Sequence, residues 1–366
     1  MNRRLVFKTL SVGIRLGGRI PLACISFLLL AILPASIRAA ESRDNETLSG
    51  KVSSAIRNVS KKAAPAVVRI RSTDGQGEIN GTGFYLDPTG TVCTLAEVVE
   101  GSREISVIKD GATQPAKLLA IDSRSGVAFL KTDVSKTAGN VFLTPSDATN
   151  ALPLTPVVAV GYPRGHEAWA TLGMVTGTDT HVGERFFCVP HLNASIPLCE
   201  GEGGSPVVDL SGKLLGIVVT GNTQLGSCWI MPAAAIGTLH QQILRTGHIQ
   251  PGWVGVAVEE TAVPEQNSRA RIASVDPGSP AETAGLRKGD LILSVGKSRI
   301  INPEDVLGAS FYLNAGETID LSILRGGNLM KMSIQCGESP ANEEDRVESS
   351  PYPSWPHQPQ PSPESH

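Results

Sequence analysis

Several things are scarce or missing in this chain of 366 residues. Aromatic side chains make up only 4% of it, no Cys-x-x-Cys pair occurs, and no run of Lys and Arg appears beyond the first segment. Overall, 32 Lys and Arg face 35 Asp and Glu. Six of those cations (Arg3, Arg4, Lys8, Arg15, Arg19, Arg38) lie within residues 1–40, which hold no acid, so the body sets 26 cations against 35 acids, a balance of −9. An acidic body without a concentrated basic patch repels phosphate backbones, and no nucleic-acid partner is expected. The seven His are scattered, and no His/Cys cluster has zinc spacing, so neither a metal nor another cofactor is expected. What is present is 41% hydrophobic residues with 38 Gly and 25 Pro, enough for two or three domains. That excludes a peptide hormone and a wholly disordered chain.

Residues 1–40 read as an address. A basic start leads into an uncharged stretch, residues 20–37, that contains the apolar run FLLLAIL, and small residues follow at Ala39 and Ala40. The reading adopted is a cleaved secretory signal. The alternative is an uncleaved membrane anchor, because 18 uncharged residues lie near the lower limit for a span. Ile37 and Arg38 spoil the small-x-small pattern, so the cleavage point stays open. Export places Cys93, Cys188, Cys199, Cys228 and Cys336 where disulfides persist, and an odd number leaves at least one unpaired.

The remainder divides into three. Over 51–248, short β-rich runs such as AVVRIR, REISVIK, VAFLK, PVVAVGY and KLLGIVV are separated by Gly, Asp, Asn and Pro, the pattern of an antiparallel barrel or sandwich. A helix near residues 233–245 closes this stretch. Over 250–338, five further strands surround a helix that starts at Pro303, with Asn302 as N-cap, acids at Glu304 and Asp305, Leu307 and Phe311 at i and i+4, and a stop at Asn314-Ala315-Gly316. Residues 339–366 are rich in Pro, Ser and acid, a composition expected to be disordered.

GTGFYLDPTGTVCTLAEVVEGSREISVIKD, VVAVGYPRG, LGMVTG and GEGGSPVVDLSGKLLGIVV resemble, in order, the two barrels of the HtrA family of trypsin-like serine proteases. GWVGVAV, ASVDPGSPAETAGLRKGDLILSV and INPEDV resemble that family's PDZ domain. The resemblance covers most of residues 65–336. It implies a mainly β chain: a trypsin-like double β-barrel followed by a β-rich α+β PDZ domain, in the periplasm or another extracytoplasmic space. Because HtrA relatives assemble as trimers, it also implies a homo-trimer or a hetero-oligomer with active relatives.

Serine proteolysis needs an activated hydroxyl, an imidazole base, an acid that orients it, and N–H donors for the oxyanion. In the corresponding motifs, Glu97 stands at the base's position, Gly126 at the acid's and Gly203 at the nucleophile's. All three side chains are absent. Ser205 is a weak substitute, since the alignment of Pro206 pins the register and Glu97, with an ordinary pKa of about 4.3, is a poor base for a hydroxyl. His191 is the other candidate base, against its reading as an ordinary strand or loop histidine. Glu97 and Glu202 are read as polar residues facing an open cleft rather than as a paired-carboxylate site. Gly201 and Gly203 retain oxyanion N–H groups. Cys199 and Cys228 match the spacing of a bridge beside the specificity pocket of many trypsin-like enzymes, worth roughly 3 kcal/mol, with two free thiols as the alternative. Cys93 and Cys188 are a second, weaker suggestion.

Trp253, Val254, Gly255 and Val256 correspond to the PDZ loop that receives a peptide's terminal carboxylate, and the neighbouring strand edge would add the peptide as an extra strand. The reading adopted is a catalytically inactive HtrA-like protein that binds unfolded polypeptides or protein C-termini as chaperone, adaptor or regulator. The alternatives are an active endopeptidase with rearranged residues and a structural component of an assembly.

Overall fold

The computed structural model describes residues 50–338 apart from 76, 134–140, 147–150, 183–184 and 266. The leader at 1–40 and the tail at 339–366 lie outside the described residues. The chain forms two compact units, 1–54 and 55–366. Of the first, only 50–54 are described, and they are helical, with the Ser54 hydroxyl donating to the Lys51 carbonyl at 2.9 Å.

In the second unit, seven antiparallel strands between Val67 and Lys131 form one sheet. Its two edge strands, Ala112–Pro115 and Lys117–Asp122, are separated in sequence only by Ala116. The sheet must therefore bend round until its edges meet, although no ladder closes it. The expected first barrel is thus a barrel in course but not in hydrogen bonding. One of its inner strands, Thr91–Leu95, is buried at all five positions, between Glu78–Tyr85 and Val127–Lys131. Burial on both faces removes the alternation of a half-exposed strand, and the buried Thr94 hydroxyl is satisfied by a carbonyl acceptor on Thr82.

Six strands from Pro156 to Pro232 form the second barrel, which closes completely. The helix Ala233–Thr246 follows and ends on Gly247 at φ 81°, a left-handed cap suited to glycine. It turns Ala233, Ile236, Leu239 and Ile243 into a core shared with the first sheet. His240 Nε2 lies 2.7 Å from Asp87 Oδ2 across that contact. Asp87 also accepts from Thr89 N, Thr89 Oγ1 and Thr91 N, which shapes the turn between the second and third strands.

Residues 252–338 form a six-stranded sheet, a two-stranded ribbon pairing Gly252–Trp253 with Gly337–Glu338, and two helices, Pro280–Thr283 and Pro303–Phe311. The longer helix starts at Pro303 as expected, and the Asp305 carboxylate accepts from the N–H groups of Ile301 and Asn302. It stops at Phe311, before the expected Asn314, because Tyr312 N and Leu313 N turn back to the carbonyls of Ala309 and Ser310.

Candidate functional site

The positions corresponding to base and acid meet through the main chain. Glu97 is the second residue of a one-turn helix, Ala96–Val99, directly after strand Thr91–Leu95. Gly126 ends the turn that opens strand Val127–Lys131. Leu95 pairs with Val127, and Ala96 N donates to Gly126 O at 2.7 Å. Gly126 sits at φ 66°, in the left-handed region where a side chain is costly. A carboxylate does lie in that turn, though sequence reading passed it over. Asp122 is buried and accepts from Ser125 N, from Ser125 Oγ at 2.6 Å and from Arg124 Nε at 2.9 Å. Those donors commit it to shaping the turn.

The turn at the nucleophile's position is gripped from both sides. From the first sheet, Thr82 N donates to Gly203 O at 3.1 Å and Thr82 Oγ1 donates to Gly201 O at 2.7 Å. From the second barrel, Gly204 N donates to Val218 O at 2.9 Å. Gly201 and Gly204 have φ of 86° and 88°, and a Cβ on Gly204 would run into the Thr82 carbonyl. Thr94, three residues before Glu97, donates through Oγ1 to Thr82 O at 2.8 Å. One chain of contacts therefore links the Gly203 turn to the segment bearing Glu97 and Gly126.

The remaining candidates are engaged elsewhere. Ser205 is buried, its hydroxyl donates to Glu202 O at 2.6 Å, and it lies against Gly161, where a Cβ would overlap Oγ. Glu202 Oε2 accepts from Cys199 N at 2.6 Å, closing a small ring with the Glu202 N to Cys199 O bond, and burial raises its carboxyl pKa against that N–H. Glu202 is thus buried in the turn, not displayed in an open cleft beside Glu97. His191 is buried, stacked 3.9 Å from the Phe187 ring, with Nδ1 2.8 Å from Val189 O. Burial pushes its pKa down to about 4. Cys199 and Cys228, the pair that the resemblance implies as a bridge, stand in the structure as separate thiols. Cys228 is buried inside the second barrel, with its pKa pushed up to about 12 by burial, while Cys199 is exposed beside Arg164 and Trp169. Cys93, buried under the first sheet, and Cys188 are also free thiols.

The second region is a groove of about 310 Å³ between residues 252–258 and the helix Pro303–Phe311. Val306 and Leu307 flank it, and Ile292, Val295 and Leu321 floor it. Gly255 stands at φ 82°, and its carbonyl and that of Val254 accept from Asp276 N and Ala281 N at 3.0 and 2.9 Å. With those acceptors engaged, what the loop has left to offer a ligand is chiefly N–H. The Trp253 ring wedges beneath it: a Cβ on Gly255 would stand 2.9 Å from Cζ2, and one on Gly337 would stand 3.6 Å from Cε3. Trp253 therefore both ends the short strand Gly252–Trp253 and plugs the loop from below.

Comparison with known proteins agrees with this geometry. A family model described as a trypsin-like peptidase domain matches residues 81–217, and one described as a PDZ domain matches residues 252–336. A probable periplasmic serine endoprotease DegP-like of Halomonas elongata is 26% identical over 275 residues, covering 72% of this chain and 57% of the relative. Its counterpart in Pseudomonas fluorescens is 28% identical over 281 residues, with the same coverage. The chain thus spans a little over half the length of these curated relatives. Among solved structures, the HtrA-type protease AlgW with tripeptide aligns with a TM-score of 0.66 at 22% identity, covering 79% of this chain and 98% of that one. The serine endoprotease from Yersinia pestis aligns at 0.59 and 22%, covering 78% and 98%. At that identity the structural likeness speaks for the fold alone. The chain is thus similar to HtrA/DegP-like proteases, with a match to a trypsin-like peptidase domain followed by a match to a PDZ domain.

Proposed function

We propose that this chain is a catalytically inactive HtrA-like protein that binds unfolded polypeptides or protein C-termini through its PDZ groove, as a chaperone, adaptor or regulator of protein quality control. The carrying observation is the turn around Gly203. Its backbone is held from both sides by Thr82 and Val218, while the three positions that, by the resemblance, need triad side chains bear Glu97, Gly126 and Gly203. A serine protease stripped of its triad retains only about 10³ to 10⁴ over water from oxyanion and binding effects. The Ser205 hydroxyl is tied to a carbonyl in the interior, and those of Thr82 and Thr94 donate to backbone carbonyls as well. The groove, by contrast, keeps an apolar lining and a glycine loop suited to a terminal carboxylate.

The relatives' names point to the periplasm, which fits the leader-like residues 1–40, and we assign this chain to an extracytoplasmic space. A homo-trimer, or a hetero-oligomer with active relatives, belongs to the same proposal.

The test pairs two measurements. Purified protein is incubated with unfolded casein and with a fluorescent phosphonate that labels activated serines; neither cleavage nor labelling is expected. Labelling that Ser205→Ala abolishes would restore the endopeptidase reading. In calorimetry, a peptide with an apolar free C-terminus is expected to bind more tightly than its amide, and equal affinities would remove carboxylate capture.

A further inference from the structure

The helix Pro303–Phe311 has two working faces. Pro303, Val306, Leu307 and Ser310, spaced by three and four, line the peptide groove. Gly308 and Phe311 point the other way, into the trypsin-like part of the same compact unit. Phe311 is 1% exposed and belongs to the hydrophobic core of the barrels, not to that of the PDZ domain. The guanidinium of Arg124 lies 4.6 Å from the centre of its ring and is steadied by the Nε bond to Asp122. Gly308 abuts strand Arg185–Ala194, where a Cβ on it would stand 3.6 Å from the Cys188 carbonyl. Just beyond the helix, Gln242 of the barrel-closing helix is wholly buried and donates to Asn314 Oδ1 at 2.9 Å, while its Oε1 accepts from Gln250 N at 3.1 Å. Gly252 N, at the start of the carboxylate loop, donates to Leu313 O at 2.8 Å. The helix wall of the groove is thereby referred to the barrels, and the facing wall is tied to the end of that helix.

We propose that Arg124 and Phe311 are positioning residues for peptide capture: the trypsin-like domain holds the groove helix at its working distance from strand Val256–Glu265. This inference rests on the peptide-binding reading above. It gives the catalytically emptied domain a present task, since a groove walled by a helix seated in another domain has an affinity set in part by that seat. Neither residue touches the ligand.

The full chain is titrated by calorimetry with a hexapeptide ending in a free apolar carboxylate, and amide exchange over residues 303–311 is followed without peptide. Arg124→Ala, which lies outside the PDZ domain, is expected to weaken binding about three- to tenfold and to speed exchange in the helix. Arg124→Lys, which keeps a cation over the ring, recovers part of both. Phe311→Leu behaves like Arg124→Ala without emptying the core. Leu239→Ala, in the barrel-closing helix, serves as control: it lowers the melting temperature and leaves peptide affinity alone. Wild-type affinity and wild-type exchange in both Arg124→Ala and Phe311→Leu overturn the proposal. So does a loss of affinity in Leu239→Ala equal to that in Arg124→Ala, since it would show general loosening. If the wild-type chain binds no such peptide, the function proposed above fails, and the exchange comparison alone decides whether the barrels position the helix.

Discussion

Residue by residue, the candidate site rests on backbone conformations as much as on side chains. Gly126 at φ 66° is the clearest case. Replacing it with Asp, which a triad would require, is expected to lower stability by about 1 kcal/mol, measured by denaturant unfolding, since a left-handed residue with a Cβ is strained. An unchanged midpoint would show that the loop relaxes freely. Gly204→Ala is expected to be far worse, because the new methyl would drive into the Thr82 carbonyl between two sheets. The motifs, through the resemblance, assign the triad positions to Glu97, Gly126 and Gly203. They did not disclose that Ser205 donates to Glu202 O, or that Glu202 closes on Cys199 N. Those bonds depend on how Thr82 and Val218, over a hundred residues apart, press on the turn, and no local pattern encodes that.

At the scale of elements, legibility followed how local the signals were. The helix at Pro303 could be read from its cap, its first-turn acids and its apolar spacing, all within a few residues. The long strands Trp169–Val182 and Arg185–Ala194 could not, because Gly173, Gly177 and a series of Thr break the apolar alternation of the first, and Pro190 interrupts the second. Their place in the barrel comes from pairing with each other and with Pro156–Gly161 and Ser227–Pro232. The carboxylate loop offers a test on this scale. Gly255→Ala is expected to weaken C-terminal peptide binding at least about tenfold, since its Cβ would collide with Ser279 and Trp253. Unchanged calorimetry would show that the loop is not the binding element.

The contact between the barrel-closing helix and the first sheet should depend on acid. Burial works to raise the Asp87 pKa, but hydrogen bonds from Thr89, Thr91 and His240 outweigh it and bring the carboxyl down from 3.8 to about 2. A carboxyl lowered in the folded state stabilises fully above its ordinary pKa, and that contribution fades as pH falls from about 4 toward 2. It is worth on the order of 2 kcal/mol. Thermal midpoints are therefore expected to drop through that window in the wild type and to vary less in Asp87→Asn. Parallel profiles would show that the aspartate is not the titrating group.

For the whole molecule, composition and motif order were sufficient to anticipate a mainly β chain with a trypsin-like part followed by a PDZ domain. They did not anticipate that the first sheet leaves its ladder unclosed, or that the helix walling the groove has its last aromatic seated in the barrel core. Both are long-range arrangements. Redox chemistry supplies the corresponding test. With Cys199 and Cys228 as separate thiols, adding a reductant is expected to leave the thermal midpoint unchanged. A drop of several degrees would reveal a bridge, whose loop would account for roughly 3 kcal/mol.

The conformation at residue 126 also bears on engineering. Laboratory selection for hydrolysis, starting from this scaffold, could install an imidazole or a hydroxyl by exchanging one side chain at a time. The third partner is different: a carboxylate there would carry the strain of a left-handed backbone, about 1 kcal/mol, at every step of the selection. Changes around that loop that relieve this rotation are where such a selection would gain most.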